Sequence, residues 1–310
     1  MTETKTELQR LTQDFLAYVA RERLYSPLTV KAYDRDLKDF AHFVTTYDPE
    51  QIQSPERIDR QTIRHFLGYL RERGLGARSV ARKLATLKSF FKYLNLAEVI
   101  PANPAVGIRT PRFPKPLPDF LPEDQAIRLM ELPPEDSLIG LRDRAILETF
   151  YAAGIRLAEL TGLSVGDISF TRKTIRVMGK GGKERLVPFG EAAGKAVGRY
   201  LEARRQRGEM VASESPLFCG RGCKPISART VQSRVAHYMK QFAEARHLSP
   251  HLLRHTVATH LLDRGADLMA VKDLLGHASL TSTQVYTHVK VEQMKKLYRQ
   301  AHPHASGTNR

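Results

Sequence analysis

A histidine and an arginine, His251 and Arg254, stand three positions apart in an apolar-periodic stretch of this 310-residue chain. Ser249 and Pro250 suit a helix N-cap and first turn, and apolar residues follow at helical spacing. Side chains at i and i+3 are neighbours on a helix surface, so we expect His251 and Arg254 to share a face. The free N–H groups and partial positive charge of a helix N-terminus also attract anions. This stretch therefore predicts an anion-binding helix start.

Four further side chains complete a candidate set for phosphate chemistry. Arg156 stands at a predicted helix-to-helix turn, and Lys180 stands at the glycine-bearing tip of a predicted hairpin. His277 follows a glycine break, and Tyr286 stands nine positions later. The complete candidate set is Arg156, Lys180, His251, Arg254, His277 and Tyr286.

These residue types suit cleavage of a phosphodiester. Two arginines can hold its non-bridging oxygens with planar, bidentate donors and offset the charge that grows in the transition state. Tyrosine can form a covalent intermediate, but a free phenol has a pKa of about 10 and needs a base or a positive field. We expect His251 to take the proton, Lys180 to protonate the departing 5′ oxygen and His277 to donate a hydrogen bond. No Asp/Glu cluster accompanies the set, which argues against a two-metal nuclease.

Each candidate also has an ordinary structural explanation. Tyr286 alone is typical of a half-buried packing residue, Lys180 of an exposed hairpin lysine, and Arg156 of a partner for Glu159 three positions on. Three other histidines compete for the histidine roles: His255, His260 and His288. The first of them is interpreted as structural. The conjunction of six suitable residues favours catalysis over these separate explanations.

The charge balance points to a polyanionic partner. Lys and Arg number 49 against 33 Asp and Glu, which gives a formal net charge of +16. Such a chain attracts polyanions over long range, and nucleic acid is the leading candidate. A basic membrane-surface protein is the alternative. It is disfavoured because the chain has no Trp and no long Lys/Arg-rich segment with an aromatic face.

Compartment signals are consistent with a cytoplasmic protein. No apolar run approaches the length of a membrane span, and the polar start lacks the apolar core of a signal peptide. Cys219 and Cys223 have no Cys/His pair at zinc-finger spacing beside them. We therefore expect no metal site and two reduced thiols.

The elements that must position the candidate set fall into two predicted domains. Residues 1–110 carry four apolar-periodic helices with a surplus of Lys and Arg that suits phosphate contact. Prolines crowd the region around 111–120 and indicate a semi-rigid linker. Residues 121–310 read as mostly helical, with strands at 174–178 and 185–189 and a tail helix at 291–302. The predicted fold class is mainly α with a small β-sheet.

The ordered set resembles the tyrosine recombinase family, also called the phage integrase family, which shows Arg, Lys, His-x-x-Arg, His or Trp, and then Tyr. The segments 179–185, 275–277 and 286–289 are similar to those of the bacterial members that resolve chromosome dimers. Residues 24–33 look like part of the family's core-binding domain, so the resemblance covers nearly the whole chain. Ile155 and the pair 256–257 depart from the usual residues, which concerns the subgroup alone.

The resemblance implies a mechanism and an assembly. Tyr286 would form a 3′-phosphotyrosyl bond and release a 5′ hydroxyl, which attacks the partner duplex without a metal or other cofactor. Residues 1–110 would be a helical DNA core-binding domain, and 121–310 the catalytic domain. The implied partners are double-stranded DNA and a homo- or hetero-tetramer with a related recombinase on two DNA sites. A cell-division DNA translocase is a further expected partner. The tail helix would dock into a neighbouring subunit, although the sequence equally allows it to fold back on its own domain.

Other functions compete with chromosome-dimer resolution. An integrase of a mobile element would use the same residues, and a type IB topoisomerase would use the same chemistry but reseal the original strand. A non-catalytic DNA-binding protein is the least favoured reading, because pure binding has no use for Tyr286 at its position.

Overall fold

The structure, a computed structural model, describes residues 6–111, 120–179, 184–241, 249–276 and 301–302. The chain divides into two compact units, Met1–Lys115 and Pro116–Arg310. Helices dominate both units in the described ranges, and a small sheet lies in the second. The predicted fold class is therefore confirmed. None of the helices in these ranges is both long and apolar enough to cross a membrane.

The first unit contains four long helices, three of which begin at a side-chain cap. Their bounds are α1 Glu7–Arg21, α2 Pro27–Tyr47, α3 Arg60–Glu72 and α4 Ala77–Leu96. Thr6 and Gln9 form a capping box at α1, because each side chain accepts a backbone N–H of the other residue. The Ser26 hydroxyl caps α2 ahead of a proline at its first position, and the Asp59 carboxylate caps α3.

Aromatic side chains fill the core of the first unit. Phe40 packs edge-on against Phe66 at a centroid distance of 5.1 Å, and Phe15 packs likewise against Phe90 at 5.5 Å. The apolar periodicity of α4 predicts that Lys83 lies outside this core, with the other cations of the helix. The structure instead buries it.

Seven helices of the second unit lie within the described ranges. Their bounds are α5 Glu123–Glu131, α6 Leu138–Ala153, α7 Leu157–Thr161, α8 Glu191–Gln206, α9 Ala228–Met239, α10 Pro250–Asp263 and α11 Leu268–Leu275. Helix α6 is central to the core and buries Ile146, Phe150 and Tyr151. The sequence also predicts a helix over 227–246; the structure ends it at Met239, and 242–248 lie outside the described residues. Helix α11 was not predicted, because it has only two turns and its apolar pattern is short.

The sheet has the antiparallel order β1-β2-β3, with bounds β1 Ile168–Ser169, β2 Thr174–Met178 and β3 Glu184–Pro188. Met178 pairs with Glu184 and Val177 with Arg185, so β2 and β3 form the predicted hairpin. The second strand begins one residue earlier than the predicted 185–189. Strand β1 was missed, because two residues are too few to show alternation. The predicted hairpin tip at 180–183 lies outside the described residues.

Two residues near the C-terminus pack into the second unit of their own chain. Ala301 and His302 are both buried, and the Nε2 atom of His302 donates a hydrogen bond of 2.9 Å to the carbonyl oxygen of Tyr151. Residues 291–300 of the predicted tail helix, and 112–119 of the predicted linker, lie outside the described residues.

Candidate active site

Arg254 is held inside the second unit by backbone carbonyl groups. It lies on α10, which begins at Pro250 after the N-cap Ser249, as predicted. Its guanidinium donates hydrogen bonds to the carbonyl oxygens of Gly154 and Leu275. The residue is only 8% exposed. Burial, and then the nearby charge of Arg156, lower the pKa of Arg254 to about 10.

Arg156 lies at the predicted helix-to-helix turn. Gly154 ends α6 with a left-handed conformation (φ 56°), and Arg156 is the N-cap of α7. One guanidinium nitrogen donates to Oε1 of Glu159 at 2.9 Å, and the other donates to the carbonyl oxygen of Gly276 at 2.8 Å. The side chain is 37% exposed, so it is anchored on one side and accessible on the other.

Glu159 is the buried carboxylate at the centre of this cluster. Its oxygens also accept a bidentate pair of hydrogen bonds from Arg185, at 2.8 and 2.9 Å. Its Oε2 atom further accepts the backbone N–H of Arg156 at 2.7 Å. Burial alone would raise the pKa of the Glu159 carboxyl, but the hydrogen bonds from Arg185 and Arg156 outweigh it and lower the pKa to about 2. Glu159 is therefore ionised at any pH near neutrality.

The end of α11 brings the two candidate arginines together. Arg254 donates to the carbonyl of Leu275, and Arg156 donates to that of Gly276, the next residue. Gly276 ends α11 in the left-handed conformation (φ 67°), which glycine adopts without steric cost. Adjacent peptide groups thus hold two guanidinium groups close enough for their charges to interact. This arrangement suits binding of a phosphate by both arginines.

The histidines of α10 differ in their surroundings. His251 is exposed in the first turn, and His255 is half-buried. His260 is buried: its Nε2 atom donates to the carbonyl oxygen of Leu121 at 2.9 Å, and its Nδ1 atom lies 3.0 Å from the hydroxyl of Tyr151. A carbonyl only accepts, so the proton of a neutral ring is on Nε2, and Nδ1 accepts from the hydroxyl. Burial lowers the pKa of His260, which favours that neutral form. Both of its ring nitrogens have partners inside the fold, so His260 has a packing role.

Three members of the candidate set, Lys180, His277 and Tyr286, lie outside the described residues, as does the competing His288. Of the set, the structure describes Arg156, Arg254 and His251. It brings the two arginines together, and it leaves the histidine exposed at the start of the same helix as Arg254.

Sequence reasoning missed Arg185, and it missed that Glu159 pairs with Arg185 as well as with Arg156. The alternative partner proposed for Arg156 is present, since Glu159 does pair with it. The second guanidinium on the same carboxylate was not foreseen. The alternation of β3 could have indicated this contact. Residues two positions apart lie on the same face of a strand, so Arg185 shares the buried face of Val187 and needs a buried partner.

Comparisons with known proteins agree with this organisation. The model of the phage integrase family matches residues 119–293, and that of the phage integrase N-terminal SAM-like domain matches residues 12–98. The tyrosine recombinase XerC of Pelobacter propionicus is 44% identical over 291 residues, which cover 94% of each chain. XerC of Pelotomaculum thermopropionicum is 41% identical over 300 residues, covering 95% of this chain and 98% of that protein.

Solved structures show the same fold. The XerH site-specific recombinase in a post-cleavage complex with a palindromic difH substrate has a TM-score of 0.72 at 19% identity, covering 96% of this chain and 97% of that one. A λ integrase dimer on a COC′ core site has a TM-score of 0.67 at 18% identity, covering 91% of this chain and 98% of that one. Family models match both parts of the sequence, and relatives above 40% identity cover almost all of it. The chain therefore belongs to the phage integrase family, the tyrosine recombinases, which are enzymes that break and rejoin DNA.

Proposed function

We propose that this chain is a site-specific recombinase that cleaves double-stranded DNA through a 3′-phosphotyrosyl intermediate on Tyr286. The observation that carries the proposal is the pairing of Arg156 and Arg254 on adjacent carbonyl groups at the end of α11. The shared carboxylate Glu159 does not balance the positive charge of this cluster. A phosphodiester would supply the further negative charge that this cluster accommodates.

The proposed cleavage step is an in-line displacement at phosphorus. The phenolic oxygen of Tyr286 forms a bond to phosphorus while the bond from phosphorus to the 5′ oxygen breaks. His251 accepts the phenolic proton, and Lys180 gives a proton to the departing 5′ oxygen. Arg156 and Arg254 stabilise the charge on the non-bridging oxygens, with a hydrogen bond from His277. The energy of the broken bond is retained in the phosphotyrosyl linkage, so a 5′ hydroxyl can reverse the step on either the original or a partner strand.

The two parts of the chain then have different tasks. We assign residues 1–110 to a core-binding domain that contacts the duplex, 111–120 to the linker, and 121–310 to the catalytic domain. The net charge of +16 supports duplex binding. The match of residues 12–98 to the family's N-terminal domain supports the assignment of the first part.

The biological role that we propose is resolution of chromosome dimers at cell division. Relatives named XerC, at 44% and 41% identity over nearly the whole chain, support this role over integration of a mobile element. A λ integrase tetramer has been solved on a Holliday junction, with a TM-score of 0.64 to this chain. It supports assembly of four subunits, alike or with a related recombinase, on two DNA sites. A cell-division DNA translocase stays a predicted partner.

A duplex nicked beside the cleavage site tests the chemistry. The short fragment released from it diffuses away, so the wild-type protein should accumulate as a covalent protein–DNA complex. Tyr286→Phe should bind the same duplex equally well and trap none, because it lacks the phenolic oxygen. Trapping by Tyr286→Phe would exclude Tyr286 as the nucleophile.

Two further measurements separate the remaining functions. Recombinant products between two duplexes support strand exchange, whereas relaxation of supercoiled DNA without exchange would indicate a topoisomerase-like enzyme. Protection and cleavage of DNA from the replication terminus of the organism's own chromosome would support dimer resolution. Cleavage confined to the ends of a mobile element would contradict it.

A further inference from the structure

Arg185 is a buried cation that belongs to no role in the proposed cleavage step. It lies at the second position of β3, and its side chain is 5% exposed. Its two terminal nitrogens donate to the two oxygens of Glu159 at 2.8 and 2.9 Å. Both terminal nitrogens of Arg185 thus face Glu159, and the residue is not a member of the candidate set.

The guanidinium of Arg185 also packs against the end of α11. A Cβ atom placed on Gly276 would lie 3.0 Å from both Cζ and Nε of Arg185. The carbonyl of the same glycine accepts a hydrogen bond from Arg156. Arg185 therefore binds the carboxylate of Glu159 and lies close beside Gly276, the two residues that anchor Arg156.

The charges explain why one carboxylate needs a second arginine. Glu159 with Arg156 alone would be a neutral pair, and its ionised carboxylate would compete with a phosphate for the same guanidinium. Arg185 occupies both oxygens of that carboxylate and adds a positive charge. Arg156 then keeps a net attraction for an anion while its orientation is held.

We propose that Arg185 is a positioning residue for DNA cleavage, which anchors Glu159 and offsets its negative charge so that Arg156 stays oriented and attracts the scissile phosphate. This inference rests on the proposed role of Arg156 in cleavage. The hydrogen bonds of the cluster link β3 with the turn before α7 and with the end of α11. In the sequence, β3 follows the hairpin tip that carries Lys180.

The test measures single-turnover formation of the covalent complex on the nicked duplex, with DNA binding measured in parallel. Arg185→Met should slow cleavage by about 10²-fold, because small misplacements of a catalytic group cost about that much. Its DNA affinity should stay close to that of the wild type. Arg185→Lys keeps the charge but cannot bind both oxygens of Glu159, so its cleavage rate should lie between those of the wild type and Arg185→Met.

A double variant distinguishes charge balance from a purely structural role. In Arg185→Met the carboxylate of Glu159 is left facing Arg156 alone. Adding Glu159→Gln removes that negative charge while a side-chain oxygen still accepts from Arg156. The double variant should therefore cleave about tenfold faster than Arg185→Met, a recovery that loss of folding could not produce.

Arg204 provides the matched control. It is also buried, and its Nε atom donates to Glu209 at 2.7 Å in the same unit. Arg204→Met should lower stability without slowing cleavage by the folded fraction. Arg185→Met cleaving within about threefold of the wild type would overturn the inference, and so would a double variant no faster than the single one.

Two further results have separate meanings. If Arg185→Met fails to fold, Arg185→Lys becomes the test. A folded lysine variant keeps the positive charge, so it should not lose as much rate as a variant without a catalytic arginine. A loss of about 10³-fold or more in that variant would contradict the charge-balance role. A wild-type protein that forms no covalent complex would instead refute the proposed function itself.

Discussion

Each unit of the chain contains a buried carboxylate held by two cations, and the two clusters differ in charge balance. In the first unit, Asp36 pairs with Arg82 and lies 3.0 Å from the ammonium of Lys83, while the hydroxyl of Thr86 donates to it at 2.9 Å. Lys83 also pairs with a second carboxylate, that of Asp39. Two cations there meet two anions.

The cluster of the second unit has an excess of cations. Glu159 accepts from Arg156 and Arg185, and the charge of Arg156 acts on the nearby Arg254. Three guanidinium groups thus surround one carboxylate, and one of them is partly exposed. The balanced Asp36 cluster joins α2 and α4, whereas the excess of cations around Glu159, with Arg156 partly exposed, favours binding of an added anion.

The largest expected effect is on catalysis at the unbalanced cluster. Arg254→Ala should slow covalent-complex formation on the order of 10³-fold or more, as for other arginine-stabilised phosphoryl transfers. Arg156→Ala should behave in the same way. The rate is measured in a single turnover on the nicked duplex.

Arg264→Ala is the control, because Arg264 is the C-cap residue that follows α10 and makes an exposed pair with Glu123. Its rate should stay near that of the wild type. A loss below about tenfold in Arg254→Ala would contradict a role in holding the phosphate.

The balanced cluster should respond in stability. Asp36→Ala removes the carboxylate that meets Lys83, and breaking a buried pair from one side costs about 3–5 kcal/mol in the free energy of unfolding. Chemical denaturation measures the loss. Cleavage by the folded fraction should be preserved, since this cluster contains no member of the candidate set.

Asp34→Ala is the matched control, because Asp34 pairs with Lys38 at the surface of the same helix. That change should cost less than about 1 kcal/mol. Equal losses in the two variants would show that the Asp36 cluster is not a buried network.

The smallest effect concerns the pH dependence of stability through Glu159. Its pKa falls from 4.5 to about 2 on folding, so ionised Glu159 stabilises the fold above pH 4.5. That stabilisation, about 3 kcal/mol at neutral pH, is lost as pH falls towards 2. Denaturation of the wild type and of Glu159→Gln from pH 7 to pH 3 checks the prediction. Their stability difference should shrink below pH 4.5, and a constant difference would contradict the predicted pKa.

Local signals predicted much of the fold. The start of α2 at Ser26 and Pro27, the glycine turn at Gly154 and the hairpin strands each depend on neighbours a few residues away, and local patterns predict all three. Helix α11 and strand β1 escaped prediction because each is too short to repeat a pattern. The same holds for the candidate site. The turn that holds Arg156 was predicted from local signals, whereas the bidentate contact of Arg185 with Glu159 was not.

By itself the sequence determined the helical class, the basic charge and the order of residue types that places the chain in its family, because each is a local or additive property of the residues. Only the tertiary structure decided that Lys83 is buried, that His260 has partners on both ring nitrogens and that Arg185 meets Glu159. Those outcomes depend on contacts between residues 26 to 139 positions apart, whose partners no local pattern specifies. The net charge of the Glu159 cluster therefore depends on which partners meet in the fold.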